Sequence, residues 1–163
     1  LDWSVDQKEH PVMILIPGNQ VTYREADKDF NRLNHFKVEE AGEKVAILAL
    51  GDFYQRGEQL SAKIKAELGF TPTLINPRFA SGIDKELLES LSERHQMVIT
   101  MEDGILSGGF GEKIASFYGS SDMKVKNYGL EKKFYDRYDP NELLKEVGMT
   151  PAQIIADICN QLK

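Results

Sequence analysis

The sequence predicts an α/β domain, a three-layer sandwich built on a largely parallel, mixed sheet of about five strands. Two observations carry that expectation. The run Val45-Ala46-Ile47-Leu48-Ala49-Leu50 is apolar at every position, as in a strand covered on both faces. Downstream, short apolar segments alternate with stretches of helical period, the order from which right-handed crossovers build a parallel sheet. The length, 163 residues with 41% hydrophobic and 28% charged, suits one globular domain with a single continuous core.

The first 35 residues stand apart from the rest. Pro11-Val12-Met13-Ile14-Leu15-Ile16-Pro17 is an apolar run bracketed by prolines, followed by polar residues to about Asn34, and it predicts a strand and then a linker. From Phe36 the pattern becomes regular. Residues 36–40, the turn Ala41-Gly42 and the run from Val45 predict a hairpin leading into a central strand. A helix is expected over 55–68, with Leu60, Ile64 and Leu68 at steps of four and Gly69 at its C-terminal stop.

Thr73-Leu74-Ile75-Asn76 reads as the next strand. Asp84 then caps a helix with Leu87, Leu88 and Leu91 on one face and Arg94-His95 at its C-terminal end, where positive charge suits the helix dipole. Met97-Val98-Ile99-Thr100-Met101 is a third strand. After Gly108-Gly109-Phe110-Gly111 a helix to about Tyr118 puts Ile114, Phe117 and Tyr118 on its apolar side, and 125–130 supplies another strand. Two helices close the chain: Asp139-Pro140 and Thr150-Pro151 each pair an N-cap residue with proline at the first helical position, and Thr150 with Gln153 has capping-box spacing.

Charge and cysteine usage narrow the function classes. A formal net charge of -6 argues against nucleic-acid or anionic-membrane binding, because either surface repels an acidic protein. The single cysteine, Cys159, cannot form an internal disulfide, reads as a small buried hydrophobe, and fits a reducing compartment. No apolar stretch approaches the roughly 20 residues that cross a bilayer, and the opening Leu1-Asp2-Trp3-Ser4-Val5-Asp6 lacks the regions of a signal peptide, so a cytoplasmic location is expected. With no initiator methionine, the ordered part of a longer polypeptide is expected to begin upstream of Leu1.

Motifs for self-contained chemistry are incomplete. The loop Gly108-Gly109-Phe110-Gly111 between a strand and a helix could direct backbone N–H groups at an anion, or could serve close packing of helix on strand. A Walker loop needs Lys and Ser or Thr after its last glycine, and a dinucleotide fingerprint starting at Gly109 needs glycine where Ile114 stands, which favours packing. His10, His35 and His95 are scattered without ligand spacing, and Ser107 is not in a nucleophile elbow. Glu102 and Asp103 sit where α/β proteins place acid–base pairs, although capping the following loop is the plainer role. The basic and aromatic stretch from Lys124 to Tyr138 reads as strand, exit loop and core or subunit interface rather than a stacking platform.

Several segments, in order, resemble the last domain of the 1-deoxy-D-xylulose-5-phosphate synthases, thiamine-diphosphate-dependent members of the transketolase superfamily. They are Glu43-Lys44-Val45-Ala46-Ile47-Leu48-Ala49-Leu50-Gly51, Asn76-Pro77-Arg78-Phe79, Ile83-Asp84-Lys85-Glu86-Leu87-Leu88, the segment from Arg94 to Asp103, the glycine loop, and Glu142-Leu143-Leu144-Lys145-Glu146-Val147-Gly148-Met149. Upstream, residues 9–19 look like the link from the pyrimidine-binding domain, but Leu15 and Gly18 stand where the family's arginines fall. The usual Arg-Phe-Val-Lys-Pro-Leu-Asp runs Arg78-Phe79-Ala80-Ser81-Gly82-Ile83-Asp84, without its lysine. These departures point to a divergent, synthase-like paralogue.

The resemblance implies a division into 1–35, a strand and linker from the preceding pyrimidine-binding domain, and 36–163, a transketolase-type C-terminal domain. It implies a parent enzyme that decarboxylates pyruvate on thiamine diphosphate with magnesium and joins the fragment to glyceraldehyde 3-phosphate, for isoprenoid precursor synthesis. Partners would be the preceding domains and a second subunit of a homodimer. The family's Gly-Asp-Gly and paired asparagines are absent here, Glu102-Asp103-Gly104 being the nearest approach, so the chain itself is expected to be inactive, with no catalytic, cofactor or metal residue. Loop, anion or interdomain contacts are expected at Arg78, Glu102, Asp103, Gly108, Gly109 and Gly111. The alternatives are the matching domain of transketolase or of a 2-oxo-acid dehydrogenase β component, or a stand-alone module holding an anion or regulatory ligand.

Overall fold

The computed structural model describes residues 2–16 and 32–162, which divide into two compact units, Leu1–Leu33 and Asn34–Lys163. In the first, a helix of four residues, α1 (Asp2–Val5), precedes residues 11–16, which carry no regular structure. The strand expected over 11–17 is therefore not formed across 11–16, while Pro17 and the expected linker as far as residue 31 lie outside the described residues. A strand needs a ladder partner and a face to bury. Neither is found for this run among the described residues, where Met13, Leu15 and Ile16 stay exposed.

In the second unit the elements run β1 (Lys37–Glu40), β2 (Lys44–Ala49), a 3₁₀ turn (Gly51–Phe53), α2 (Tyr54–Leu68), β3 (Thr73–Asn76), α3 (Lys85–Leu91), β4 (His95–Ile105), α4 (Phe110–Tyr118), β5 (Lys124–Leu130), α5 (Pro140–Glu146) and α6 (Pro151–Gln161). They form the expected five-stranded mixed sheet, in the order β1-β3-β2-β4-β5. Strands β2 to β5 are parallel and β1 is antiparallel to β3. Ile47 of the central strand stands between Leu74 and Ile99.

Alternation along β2 sends Val45, Ile47 and Ala49 into one core layer, with Leu60, Ile64, Leu144, Ile154 and Ile158 from α2, α5 and α6. Ala46 and Leu48 face the other layer, with Leu88 and Leu91 of α3 and Phe110, Ile114 and Tyr118 of α4. Two covered faces explain why this strand reads as an unbroken apolar run. Each fully buried Leu or Ile contributes about 1.5–3 kcal/mol. Cys159, expected to be buried, is only partly so and packs against the first layer.

Two local expectations are corrected. The strand at 37–40 is not half of a hairpin with β2, because β3 lies between them. The turn is stitched to β3 instead: the Gly42 N–H donates to Thr73 Oγ1 at 2.8 Å and the Glu43 N–H to the Thr71 carbonyl at 2.9 Å. Side-chain bulk at Gly42 is excluded, since a Cβ there would lie 2.0 Å from that carbonyl.

His95 does not end a helix either. The helix α3 stops at Leu91 with no basic residue in its last turn, and His95 opens β4. Its Nδ1–H donates to the Leu91 carbonyl at 2.9 Å, which leaves Nε2 to accept from the Thr73 hydroxyl at 2.8 Å. Burial lowers the pKa of this imidazole, partly opposed by the Leu91 bond and aided by Arg94. The ring thus joins the start of β4 to β3 as a neutral strut.

Candidate functional site

The sequence-predicted site residues gather where β4 hands over to α4. The strand extends beyond the expected 97–101 to Ile105, so Glu102 and Asp103 are successive strand residues on opposite faces. Glu102 is buried and Asp103 is exposed, which separates them as an acid–base pair. The Glu102 carboxylate accepts the N–H of Phe110 at 2.9 Å and of Gly111 at 2.8 Å. Residue Gly109, at the N-cap of α4, has no side chain to do this, and the carboxylate also meets the positive end of the helix dipole.

The remaining loop amides are engaged too. The Gly108 N–H donates to the Glu112 carboxylate, and the Gly109 N–H to the Leu106 carbonyl at 3.1 Å. Four successive N–H groups, 108 to 111, are thus satisfied from within the chain. A bound anion here would have to displace Glu102 and would face its charge. The loop is a closed helix start, and the packing role favoured over anion capture is the one its geometry supports.

Glycines make room for that carboxylate. A Cβ at Gly109 would lie 2.8 Å from both Glu102 oxygens and 2.5 Å from the Ile105 carbonyl, and one at Gly104 would lie 3.2 Å from Oε2. On β5, a Cβ at Gly129 would approach the Glu102 Cγ to 3.3 Å. Gly111 serves the approach of α4 to the sheet, since a Cβ there would stand 2.5 Å from Thr100 Oγ1 and 2.8 Å from the Asn127 carboxamide carbon. Thr100 itself donates to Asn127 Oδ1 at 2.8 Å, tying β4 to β5 beneath the helix. Gly108, at φ 77°, supplies a left-handed turn.

Arg78 is engaged elsewhere, in the loop after β3. Its Nε and Nη2 donate to the His35 carbonyl at 3.2 and 2.9 Å, and in the same loop the Ala80 carbonyl accepts from Lys113 of α4 at 2.8 Å. Asp84 was legible as the cap of α3, and it does accept the Leu87 N–H, but its contacts with His35 and Phe36 were not. Nothing local signals a bond between residues 48 positions apart.

As a cofactor site the described part of the chain fits poorly. No group of three or more His, Cys, Asp or Glu able to hold a metal occurs among the described residues, and the one helix start with a glycine loop is filled by Glu102. A diphosphate has no free amide cradle there. No helix among the described residues is long and apolar enough to cross a membrane.

Comparison with known proteins places this geometry. The sequence profile of the family "Transketolase, C-terminal domain" matches residues 34–154. A 1-deoxy-D-xylulose-5-phosphate synthase of Shouchella clausii is 31% identical over 156 residues, covering 93% of this chain and 25% of that protein. The synthase of Clostridium tetani is 28% identical over 161 residues, 97% of this chain and 26% of the relative. The chain therefore spans about a quarter of the length of these curated relatives. A solved split-gene transketolase, described as an inactive β4 tetramer, superposes with a TM-score of 0.69 at 24% identity, over 79% of this chain and 42% of its own. A 2-oxoglutarate:ferredoxin oxidoreductase of Magnetococcus marinus gives 0.51 at 14% identity, over 82% and 20%. At these identities the two structures establish the shared fold.

Proposed function

Since this chain belongs to the transketolase C-terminal domain family, we propose that it is the supporting, subunit-pairing domain of a thiamine-diphosphate-dependent transferase of the 1-deoxy-D-xylulose-5-phosphate synthase type. The observation that carries this reading is the pairing of extent and share: similarity to synthases runs over 93% of the chain but over only 25% of the Shouchella clausii enzyme. In this proposal pyruvate is decarboxylated and its two-carbon fragment joined to glyceraldehyde 3-phosphate on groups held by other domains. Thiamine diphosphate and magnesium, when bound to those domains, supply the carbanion chemistry. This chain's residues contribute a rigid sheet, closed helix starts and surfaces for the neighbouring domains and a second subunit, and the reaction runs in the cytoplasm.

The closed loop supports the division of labour, because Glu102 occupies the amides that a diphosphate would need. In the same proposal, residues 1–35 belong to the preceding pyrimidine-binding domain and the linker that leaves it. Titration calorimetry of the 163-residue chain with thiamine diphosphate and magnesium should give no binding heat at micromolar cofactor. Mixing the chain with a polypeptide that carries the Gly-Asp-Gly motif and the preceding domains should yield carbon dioxide from pyruvate only when both are present. Cofactor binding or turnover by the chain alone overturns the proposal.

A further inference from the structure

The compact unit begins at Asn34, and the loop between β3 and α3 grips it at one peptide group. The carbonyl of the His35–Phe36 peptide accepts both Nε and Nη2 of Arg78, at 3.2 and 2.9 Å. The N–H of the same peptide donates to Asp84 Oδ2 at 2.9 Å. A cation thus sits at the negative pole of that peptide dipole and a carboxylate at the positive pole, the favourable orientation of both charges. Asp84 is buried, and its other oxygen accepts the Leu87 N–H at 3.2 Å, which anchors the clamp to the start of α3.

Neighbouring contacts restrain the same residues. Ser81 donates to Asn34 Oδ1 at 2.7 Å, and a Cβ on Gly82 would stand 2.5 Å from the Asn34 carboxamide nitrogen. The His35 Nδ1 lies 2.9 Å from Asp84 Oδ2, although not aligned as a hydrogen bond. The buried Phe36 ring packs 5.9 Å from that of Phe110. Arg78, like Asn34, Lys44 and Arg137 among the described residues, has a positive φ. It sits at φ 61°, in the left-handed region that disfavours every residue with a Cβ. Turn shape there favours glycine, and the two bonds of the Arg78 side chain to the His35 carbonyl offset that cost.

We infer that Arg78 and Asp84 are positioning residues, an entry clamp that grips the His35–Phe36 peptide at both poles and sets the heading of the backbone where the chain enters the domain. This goes beyond the proposed transferase role and does not depend on it.

Hydrogen exchange of the full 163-residue chain tests the clamp, with the Phe36 amide as the probe and the β2 amides as internal reference. In Arg78→Gly the backbone strain is relieved and the fork removed, and exchange at Phe36 should rise at least about tenfold while β2 is unchanged, the loss expected when a charged hydrogen bond goes. Arg78→Lys keeps a charge but not the two-pronged contact, and should give a smaller rise. Asp84→Asn presents an amide donor to at least one of the two N–H groups and should match Arg78→Gly; if it fails to fold for want of the α3 cap, the two Arg78 variants decide. Unchanged or slower exchange at Phe36 in Arg78→Gly means a turn-shape role and overturns the inference. So does a rise shared equally by Phe36 and β2, which marks general loss of stability.

Discussion

Helices α4 and α6 open with the same physical problem, backbone N–H groups without intrahelical partners, and solve it with residues drawn from different distances along the chain. At α6 the partners are adjacent: the Thr150 hydroxyl accepts the Gln153 N–H at 3.4 Å, the Gln153 carboxamide accepts the Thr150 N–H at 3.2 Å, and Pro151 has no N–H to satisfy. At α4 the partner is Glu102, eight and nine residues back on a strand, buried and enclosed by glycines. The local solution stabilises one helix. The distant one also fixes helix to sheet, so damage to it should spread to packing on both sides.

The largest expected effect breaks the comparison at its distant side. Glu102→Ala leaves the amides of Phe110 and Gly111 buried and unpaired at about 1–3 kcal/mol each, partly offset because a buried charge is no longer desolvated. A net loss of roughly 3 kcal/mol in urea unfolding is expected. Glu102→Gln keeps one acceptor oxygen and should recover part of it. A loss below about 1 kcal/mol for Glu102→Ala shows that water or another donor set replaces the carboxylate, and the distinction from α6 collapses.

Gly111→Ala sharpens the same contrast by asking whether α4 must approach the sheet so closely. A helical glycine replaced by alanine ordinarily gains up to about 1 kcal/mol. Here the new methyl would meet Thr100 Oγ1 at 2.5 Å and the Asn127 carboxamide carbon at 2.8 Å, two groups already bonded to each other. Overpacking of this kind costs about 1–3 kcal/mol, so a net loss of about 1–2 kcal/mol is expected on the same unfolding curve. A gain in stability places α4 farther from the sheet than this geometry does.

What was legible in the sequence follows the same line between near and distant partners. Thr150, Pro151 and Gln153 lie within four positions, as do Asp139 and the Asn141 and Glu142 amides it accepts, and both caps were read correctly from spacing. The continuous apolar run of β2 and the stop at Gly69, found at φ 74°, were equally local signals. Strand pairing is not local. Four residues, Lys37–Glu40, do not state whether their partner is β2, a few positions on, or β3, more than thirty positions on. His95 misled because a basic residue just beyond a leucine-rich helix suits the dipole as well as it suits a strand start. For the candidate site, the sequence marked Glu102 and the glycine loop, and Glu102 accepts two amides at the helix start beyond that loop. That Asp103 faces away, and that Arg78 and Asp84 each reach the His35–Phe36 peptide, depended on strand phase and on contacts across more than forty residues.

The smallest effect belongs to the local side. Thr150→Ala removes the hydroxyl that accepts the Gln153 N–H, while Pro151 and the Gln153 carboxamide remain. Because this cap is solvent-accessible, water can take over the freed N–H, and a loss of about 1 kcal/mol is expected, the usual cost of losing a Ser or Thr cap. Exchange should quicken only in the first turn of α6, leaving the amides of β4 and β5 as they were. A loss as large as that of Glu102→Ala, or one that spreads to the sheet, would mean that α6 is coupled to the core through its first turn. Ile154 and Ile155, in the turn that Thr150 caps, both pack into the core layer over that face of the sheet. They are the residues through which such coupling would run.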